Sequence, residues 1–582
     1  MTATDSHLLL RALVDEFARC GMEHACTSPG SRNTPIVLTL AREQRLRTWS
    51  HVDERCSGFF ALGAAKASGK PVAVTCTSGT AAANLMPAVI EAHEAGVPLI
   101  LLTADRPPEL RDIGAGQTID QLKLYGDAVK WFFEIGVQEA TAERMRWIRS
   151  LACRAYWTAL DGRPGPVHLN IALREPLLLD EPLSADEPGG GGRPSGEPWV
   201  TQLWPQTLVA HAAYRGLDPP TAVVVAGDLG AVVRPGLAGS HDLGRELAEA
   251  CASASVPLLA DPLSGARSGG AAIAHWDLIL RDPQTAAALT PEVVYRIGEL
   301  PTSKPLRAWL AGLDNATHIH FVSDERWSDP VSRDGTRVVR PIADAITDLS
   351  GYLQTDSSDW LDRWRRADSA VAHAIAEPLS GAGLSEPAVA TALGQFLPSS
   401  ATLFVGASMP IRDVEEFFPA LNVPPRVLAN RGANGIDGTV SSAFGVAAVS
   451  DGPVVLLTGD VTLAHDLGGL LAAQRTGLKL TIVLINNDGG GIFNFLPISR
   501  ETDVFEPHIA TATGLDFSVA AQLFGCAYES VDDIDSFAGA LMRGLRAEQT
   551  TIIEVRTERA ANRALHAAVE SAALAALREL RY

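Results

Sequence analysis

PVVLLTGDVTLAHDLGGLLAAQRTGLKLTIVLINNDGGGIFNFL, residues 453–496, holds the pattern from which the rest of the chain can be read. An apolar run from Pro453 to Thr458 has the length of a buried strand and stops at Gly459-Asp460. A helical pattern follows to about Arg475, and a second apolar run, Leu478 to Ile485, stops at Asn486-Asn487-Asp488-Gly489. Strand, helix and strand in that order predict one βαβ unit of a parallel sheet. Ligands of such sheets collect beyond the carboxyl ends of the strands. Here both ends carry an oxygen-bearing side chain, Asp460 and Asn487, 27 positions apart. A carboxylate, an amide oxygen and a nearby glycine carbonyl form a hard-oxygen set suited to Mg²⁺, which takes its remaining ligands from phosphates and water. Asp460 also stands where the helix begins, so the amides of Val461 and Thr462 are placed to face an anion. The pattern points to a metal-bridged diphosphate. Two turns that merely cap buried strands would read the same way, and spacing alone leaves both readings open.

The whole chain narrows the class. Its 582 residues suggest three or four domains, and 46% hydrophobic with 20% charged residues is ordinary for a soluble globular protein. A net charge of −20 argues against nucleic acid or an anionic membrane as partner, and it requires that any anionic substrate meet locally concentrated Arg and Lys. Seven cysteines (20, 26, 56, 76, 153, 251 and 526) with no C-x-x-C pair fit a reducing cytosol better than a disulfide framework or a zinc site. The opening MTATDSHLLLRALVDEF is an acidic amphipathic pattern, unlike a signal peptide, and runs such as Val97 to Leu102 are far too short to span a membrane. The expectation is a cytoplasmic protein without membrane insertion.

Residues 7–20 have helical periodicity and lead to a short strand at about 22–27, which ends in Ser28-Pro29-Gly30-Ser31-Arg32-Asn33. Such a turn ends a strand by its backbone chemistry alone, and it also projects Ser31 and Arg32 over the strand end. WSHVDERCSGFFALGAAKASGKPVAV reads as strand, acidic turn, helix and strand, with Glu54 at the helix start, where an acid ordinarily compensates the dipole. Pro71 to Thr75 predicts a strand, Ser78-Gly79-Thr80 a turn, Ala81 to Glu94 a helix, and Pro98 to Thr103 a strand ending in Ala104-Asp105-Arg106. FFALGAAKASGKPVAV (59–74) aligns with SAFGVAAVSDGPVVL (442–456), and the helix–strand–SPGSR of 9–32 with the helix–strand–GASMPIR of 388–412. The two ends of the chain are therefore an internal duplication. Gly and Pro crowd 181–198, which marks a flexible boundary. The region 200–355 has α/β signals of its own (221–226 and 318–322) without a phosphate-loop fingerprint, and reads mainly as scaffold. Residues 357–377 predict a linking amphipathic helix, 550–556 a strand, and the last 20 residues a packing helix.

Gly459-Asp460 followed by Asn486-Asn487 resembles the thiamine diphosphate motif of the decarboxylase and acetohydroxyacid synthase superfamily. In that superfamily the Asp, the second Asn and a carbonyl two residues later hold the metal, which corresponds here to Asp460, Asn487 and Gly489. One branch fits best. SPGSRNTPI (28–36), HVDER (51–55), TSGTAAANLMPAVIEA (77–92), LTADRPPELRDIGAGQTI (102–119), NRGANGIDG (430–438) and NNDGGGIF (486–493) together resemble the 2-succinyl-5-enolpyruvyl-6-hydroxy-3-cyclohexene-1-carboxylate synthases of menaquinone biosynthesis. The resemblance implies three consecutive α/β domains with parallel sheets, the first and last related by duplication. Their limits would be 1–185 (pyrimidine-binding), 199–355 (central) and 378–582 (diphosphate- and metal-binding). It implies thiamine diphosphate with Mg²⁺ or Mn²⁺ as cofactors. It also implies a homodimer at minimum, with a tetramer left open, because in the superfamily the site forms between the first domain of one subunit and the last of another.

Residue by residue, the resemblance makes Glu54 the carboxylate that hydrogen-bonds the cofactor's aminopyrimidine, relaying a proton through the ring. Thr77, Ser78, Gly79, Asp460, Val461, Thr462, Asn487 and Ile492 join it around the cofactor. Both substrates, 2-oxoglutarate and isochorismate, are dicarboxylates, and fixed guanidinium groups orient as well as neutralise such anions. The matching cations are Arg32, Arg106, Lys304, Arg412 and Arg431, with Ser31, Gln117 and Ser408 as polar partners. Arg32, Ser31 and Gln117 are assigned with Glu54 to catalysis. At 304–305 the pattern departs from some relatives, with Pro305 where a second basic residue stands. Ile492, Phe493 and Leu496 would form the apolar wall beside the thiazolium. The implied reaction is decarboxylation of 2-oxoglutarate followed by Stetter-type conjugate addition of the succinyl carbanion to isochorismate. An acetohydroxyacid synthase relative fits the arginine set less well, since pyruvate has one carboxylate. A non-catalytic binding paralogue fits poorly with an intact Glu54, Asp460 and Asn487.

Overall fold

The apolar runs become strands of three separate, wholly parallel sheets. A computed structural model describes residues 2–181, 183, 191–202, 221–230, 240–324, 326–353 and 358–580. Strands β1 (His24–Thr27), β2 (Arg47–Ser50), β3 (Val72–Cys76), β4 (Leu99–Asp105), β5 (Trp131–Ile135) and β6 (Val167–Ala172) form the first sheet in the order β2-β1-β3-β4-β6-β5. The middle sheet, β11-β10-β9-β7-β8, is built from β7 (Ala222–Ala226), β8 (Leu258–Ala260), β9 (Val293–Ile297), β10 (Thr317–Val322) and β11 (Thr336–Val339). The last contains β12 (Thr402–Val405), β13 (Arg426–Ala429), β14 (Val454–Gly459), β15 (Thr481–Asn486), β16 (Ala527–Val531) and β17 (Thr551–Arg556), ordered β13-β12-β14-β15-β17-β16. Counted from its own first strand, the last sheet runs 2-1-3-4-6-5, the order of the first. The duplication read from sequence thus extends to topology. β3, β4, β14 and β15 are buried nearly throughout, as strands covered on both faces must be.

The two related domains meet through equivalent helices, Glu54–Ser68 and Thr439–Ala447. A Cβ on Gly63 would fall 1.9 Å from the Ser442 carbonyl oxygen, and one on Gly445 1.9 Å from that of Phe60. Gly63 and Gly445 are the aligned glycines of the duplication, so each helix seats its glycine against the other's backbone. Phe59, Phe60 and Phe444 beside them are fully buried in a core shared by both sheets.

Three expectations need correction. The helix expected from 461 to 475 is broken into Asp460–His465, a 3₁₀ turn at Leu467–Leu470, and Leu471–Thr476. The break lets buried Asp466 accept the Ser441 amide at 2.7 Å, while Gly469 approaches the Ser441 hydroxyl too closely for a side chain. The helix expected at 81–94 is two helices, Thr80–Ala83 and Met86–Ala95, with Pro87 in the first turn of the second. The linking helix at 357–377 is Ser358–Gly381 and does more than link. Trp360 and Trp364 are buried in the core beneath the middle sheet, with Trp364 edge-on to Trp309 at 5.9 Å. Of the boundary expected at 181–198, residues 182 and 184–190 lie outside the described residues.

Candidate active site

The duplicated sheets offer the same two positions, the carboxyl ends of their third and fourth strands. In the first sheet these ends carry Thr77-Ser78-Gly79 and Arg106; in the last they carry Asp460 and Asn487.

In the first domain the turn at 28–33 presses on the turn after β3, where a Cβ on Gly30 would lie 2.3 Å from that of Thr77. Ser31 is exposed, whereas Arg32 turns inward and donates to the Leu173 carbonyl (2.9 Å) and Glu175 (3.0 Å). Arg106 donates to the Ser78 hydroxyl at 3.0 Å and to the Gly116 carbonyl at 3.2 Å. Gln117 closes the ring, its amide donating to the Ser78 carbonyl at 3.1 Å while its own carbonyl accepts from the Ser78 hydroxyl at 2.9 Å. Gly79 has φ +85° and meets the Gln117 side chain, so a Cβ there would be strained. Burial lowers the pKa of Arg106, and the nearby Arg32 charge lowers it further. Two guanidinium groups held this close suit an anion between or beside them.

Glu54 opens the helix Glu54–Ser68, but Asp53 does the capping there, accepting the amides of Arg55 (2.8 Å) and Cys56 (3.3 Å). The half-buried Glu54 carboxylate makes no hydrogen bond among the described residues. It stands close enough to buried Cys76, at the end of β3, to add to the burial that pushes that thiol's pKa up. Dipole compensation is thus supplied by a neighbour, and Glu54 is left available.

In the last domain Asp460 is buried, with Oδ2 accepting the Gly489 amide at 2.8 Å. Burial pushes its carboxyl up to about 6 despite the Gly489 and Val461 amides that favour the anion. The Val461 amide therefore faces the Asp460 carboxylate; Thr462 is buried behind it. Asn487 donates through Nδ2 to Glu386 at 2.8 Å, and its Oδ1 is buried without a partner. Gly491 packs on the same amide, where a Cβ would lie 2.7 Å from Nδ2, and holds it in place. Gly489 has φ +134° with Ala510 against it, so only glycine fits there. A desolvated carboxylate, an orphaned amide oxygen and a glycine carbonyl fit a small hard cation.

The remaining cations lie where the last and middle domains meet. Arg412 bonds the carbonyl of Ser408, whose φ of +76° and ψ of −130° form a strained conformation for a residue with a side chain. Arg431 donates to the Thr302 hydroxyl at 3.2 Å, and burial lowers its pKa. Lys304 is exposed at the start of the helix Lys304–Ala311. The preceding Ser303 amide donates to Glu415 (3.1 Å), on the same helix as Arg412, so the 302–304 segment is tied to both arginines' elements. Ile492, Phe493 and Leu496 are half-buried around the 3₁₀ turn Gly491–Phe495. Among the described residues no hydrogen bond or ion pair joins the side chains of Glu54, Ser78, Arg106 or Gln117 to Asp460, Asn487 or Gly489, although the neighbouring Arg55 donates to the His465 carbonyl at 3.3 Å. Sequence reasoning missed Glu386, Glu91, Thr302 and Glu415. Glu386 follows the helix cap Ser385 and looks like ordinary first-turn chemistry until Asn487 is seen against it.

Residues 9–124 match the family described as thiamine pyrophosphate enzyme, N-terminal TPP binding domain. Residues 194–405 match the middle domain of thiamine pyrophosphate enzymes, and 412–555 the C-terminal TPP binding domain. The chain is 41% identical over 573 residues to a protein of Geobacillus thermodenitrificans (95% of this chain, 94% of the relative). It is 42% identical over 568 residues to one of Geobacillus kaustophilus (95% and 96%), and 40% over 563 residues to one of Chloroflexus aurantiacus (95% and 93%). All three are named 2-succinyl-5-enolpyruvyl-6-hydroxy-3-cyclohexene-1-carboxylate synthase. The chain belongs to this synthase family. It is a thiamine diphosphate enzyme, and the family's three-domain arrangement is the one seen in its sheets. No helix among the described residues is long and apolar enough to cross a membrane.

Proposed function

We propose that this chain decarboxylates 2-oxoglutarate and joins the succinyl unit to isochorismate by conjugate addition. The products are CO₂ and 2-succinyl-5-enolpyruvyl-6-hydroxy-3-cyclohexene-1-carboxylate, an intermediate of menaquinone biosynthesis. The observation that carries this reading is the near-full-length match to synthases of that name, on a chain whose Glu54 carboxylate makes no hydrogen bond among the described residues.

Thiamine diphosphate, when bound, supplies the carbon nucleophile and the electron sink for decarboxylation. Glu54 holds the proton at the cofactor's pyrimidine nitrogen, a role that its lack of a hydrogen-bond partner among the described residues permits. Thr77, Ser78 and Gly79 border the same end of the cofactor. Asp460, Asn487 and the Gly489 carbonyl hold Mg²⁺ or Mn²⁺, and Val461 and Thr462 accompany them at the diphosphate. Arg32, Arg106, Lys304, Arg412 and Arg431 neutralise and orient the substrate carboxylates, with Ser31, Gln117 and Ser408 as hydrogen-bonding partners. Ile492, Phe493 and Leu496 keep water from the reacting carbon.

The domain limits that fit this reading are 1–185, 199–355 and 378–582, each range holding one sheet. A homodimer completes the site by bringing the first domain of one subunit to the last of another. Exposed apolar side chains beside the first-domain cluster support it: Val52, two residues from Glu54, and Ile113 and Ile119, which flank Gln117. The compartment is the cytosol, in keeping with seven free cysteines.

The test combines thiamine diphosphate, Mg²⁺, 2-oxoglutarate and isochorismate, following isochorismate loss and CO₂ release together. Coupled consumption that needs all four components, and that nearly vanishes in Glu54→Gln, is expected. CO₂ release without isochorismate loss would show the acceptor to be wrong. Full activity of Glu54→Gln would remove Glu54 from the chemistry.

A further inference from the structure

Glu91 is 3% exposed on the helix Met86–Ala95 of the first domain, and no Lys, Arg or His forms an ion pair with it among the described residues. Its partners are two backbone amides of the last domain. Oε1 accepts from Gly432 at 2.8 Å and Oε2 from Ala433 at 2.6 Å. These are the two residues that follow Arg431. The turn lies so close to the helix that a Cβ on Gly432 would sit 2.6 Å from the Ala95 nitrogen and 2.7 Å from the Glu91 carbonyl oxygen. On its other side Arg431 reaches Thr302 of the middle domain. Elements of three domains therefore converge on the 431–433 turn.

Arg431 lies close enough to feel the Glu91 charge but makes no ion pair with it, so two short charge-assisted bonds to amides carry most of the cost of burying the carboxylate, and only while both amides stay in place. Glutamine offers one oxygen and can serve one amide. We infer that Glu91 is a positioning residue for Arg431: it locks the 431–433 turn of the last domain onto the first, and so fixes where the guanidinium meets a substrate carboxylate. This rests on the reading of Arg431 as a substrate cation. It gives the first domain a hold on the substrate-binding geometry of the last domain within one subunit, separate from the Glu54 chemistry.

The experiment measures KM and kcat for both substrates in Glu91→Gln, Glu91→Ala, Arg431→Ala and the Glu91→Ala/Arg431→Ala double variant. Thiamine diphosphate affinity and thermal unfolding are recorded alongside. Glu91→Gln is expected to raise KM for one substrate about tenfold, the consequence of one buried amide left unpaired, with unchanged cofactor affinity. The double variant is expected to bind that substrate no worse than Arg431→Ala alone, because a positioning residue has nothing left to position. If Arg431→Ala raises KM while both Glu91 variants match the wild type, the Glu91 inference is overturned and the Arg431 reading survives. If Arg431→Ala leaves both KM values unchanged, the Arg431 reading fails and the inference falls with it. Additive losses in the double variant would place the effect of Glu91 elsewhere, which also overturns the inference. Should Glu91→Ala fail to fold, the same comparison is made with Glu91→Gln in its place.

Discussion

Gly445→Ala tests how closely the two duplicated domains must approach for the site to work. The new Cβ would lie 1.9 Å from the Phe60 carbonyl oxygen and 2.8 Å from the Ala64 nitrogen. Ordinary contact begins at 3.4 Å, so the helices Glu54–Ser68 and Thr439–Ala447 must part by about 1.5 Å. The obstructing atoms are backbone, which no rotamer change can move aside. Overpacking of this kind costs about 1–3 kcal/mol, and more when the backbone cannot yield. Glu54 opens the helix that is pushed, so it moves with it, and a misplacement of about 1 Å at a reacting group costs roughly 100-fold in rate. Gly445→Ala should therefore unfold at lower temperature and lose about two orders of magnitude in kcat at saturating cofactor and substrates. Gly63→Ala should behave alike, since its Cβ would lie 1.9 Å from the Ser442 carbonyl oxygen. Gly351→Ala, with nothing within 4 Å of its Cβ, is the control and should do neither. An unfolding temperature and kcat equal to wild type in Gly445→Ala would refute the argument that the helix contact sets the position of Glu54.

Two further outcomes are expected. Glu386→Ala should weaken Mn²⁺ binding in the presence of thiamine diphosphate about 10–100-fold, because Asn487 loses the carboxylate that aims its amide. Glu386→Gln keeps an accepting oxygen and should recover most of the affinity; calorimetric binding equal to wild type in the alanine variant would refute the role. His51 is buried, and burial holds its imidazole down to about 4. Below about 6.5 the unfolded chain takes up a proton that the folded chain refuses, so this share of stability is full above about 6.5 and falls as pH drops towards 4. At pH 5 the loss is about 2 kcal/mol. Urea midpoints between pH 7.5 and 5 should fall more steeply in wild type than in His51→Phe, and equal slopes would contradict the assignment.

Much of the molecule was legible in the chain. Asp460 and Asn487 could be placed at strand ends because apolar runs of this length, bounded by turn residues, read as buried strands, and ligands of a parallel sheet collect beyond its carboxyl edge. The duplication was legible because aligned glycines and apolar residues repeat at both ends of the chain, and the matching strand orders follow from it. Less was legible where local signals compete with distant ones. The pattern of 461–475 is helical by periodicity, yet Asp466 leaves the helix to take a hydrogen bond from Ser441, 25 positions earlier.

Apolar periodicity and turn chemistry thus determined, from the sequence alone, the α/β class and the strand ends at which Asp460 and Asn487 stand, while the residues assigned to the chemistry came from the family's motifs. The class and the strand ends are set by interactions between near neighbours in the chain. Only the tertiary structure decided which residues hold those groups in place. Glu386 lies 101 positions from the Asn487 amide it receives, and Glu91 lies 341 from the Gly432 amide it clamps. A carboxylate on a helix looks the same in sequence whether it faces water or another domain's backbone. The difference is one of burial, and burial is a property of the assembled fold.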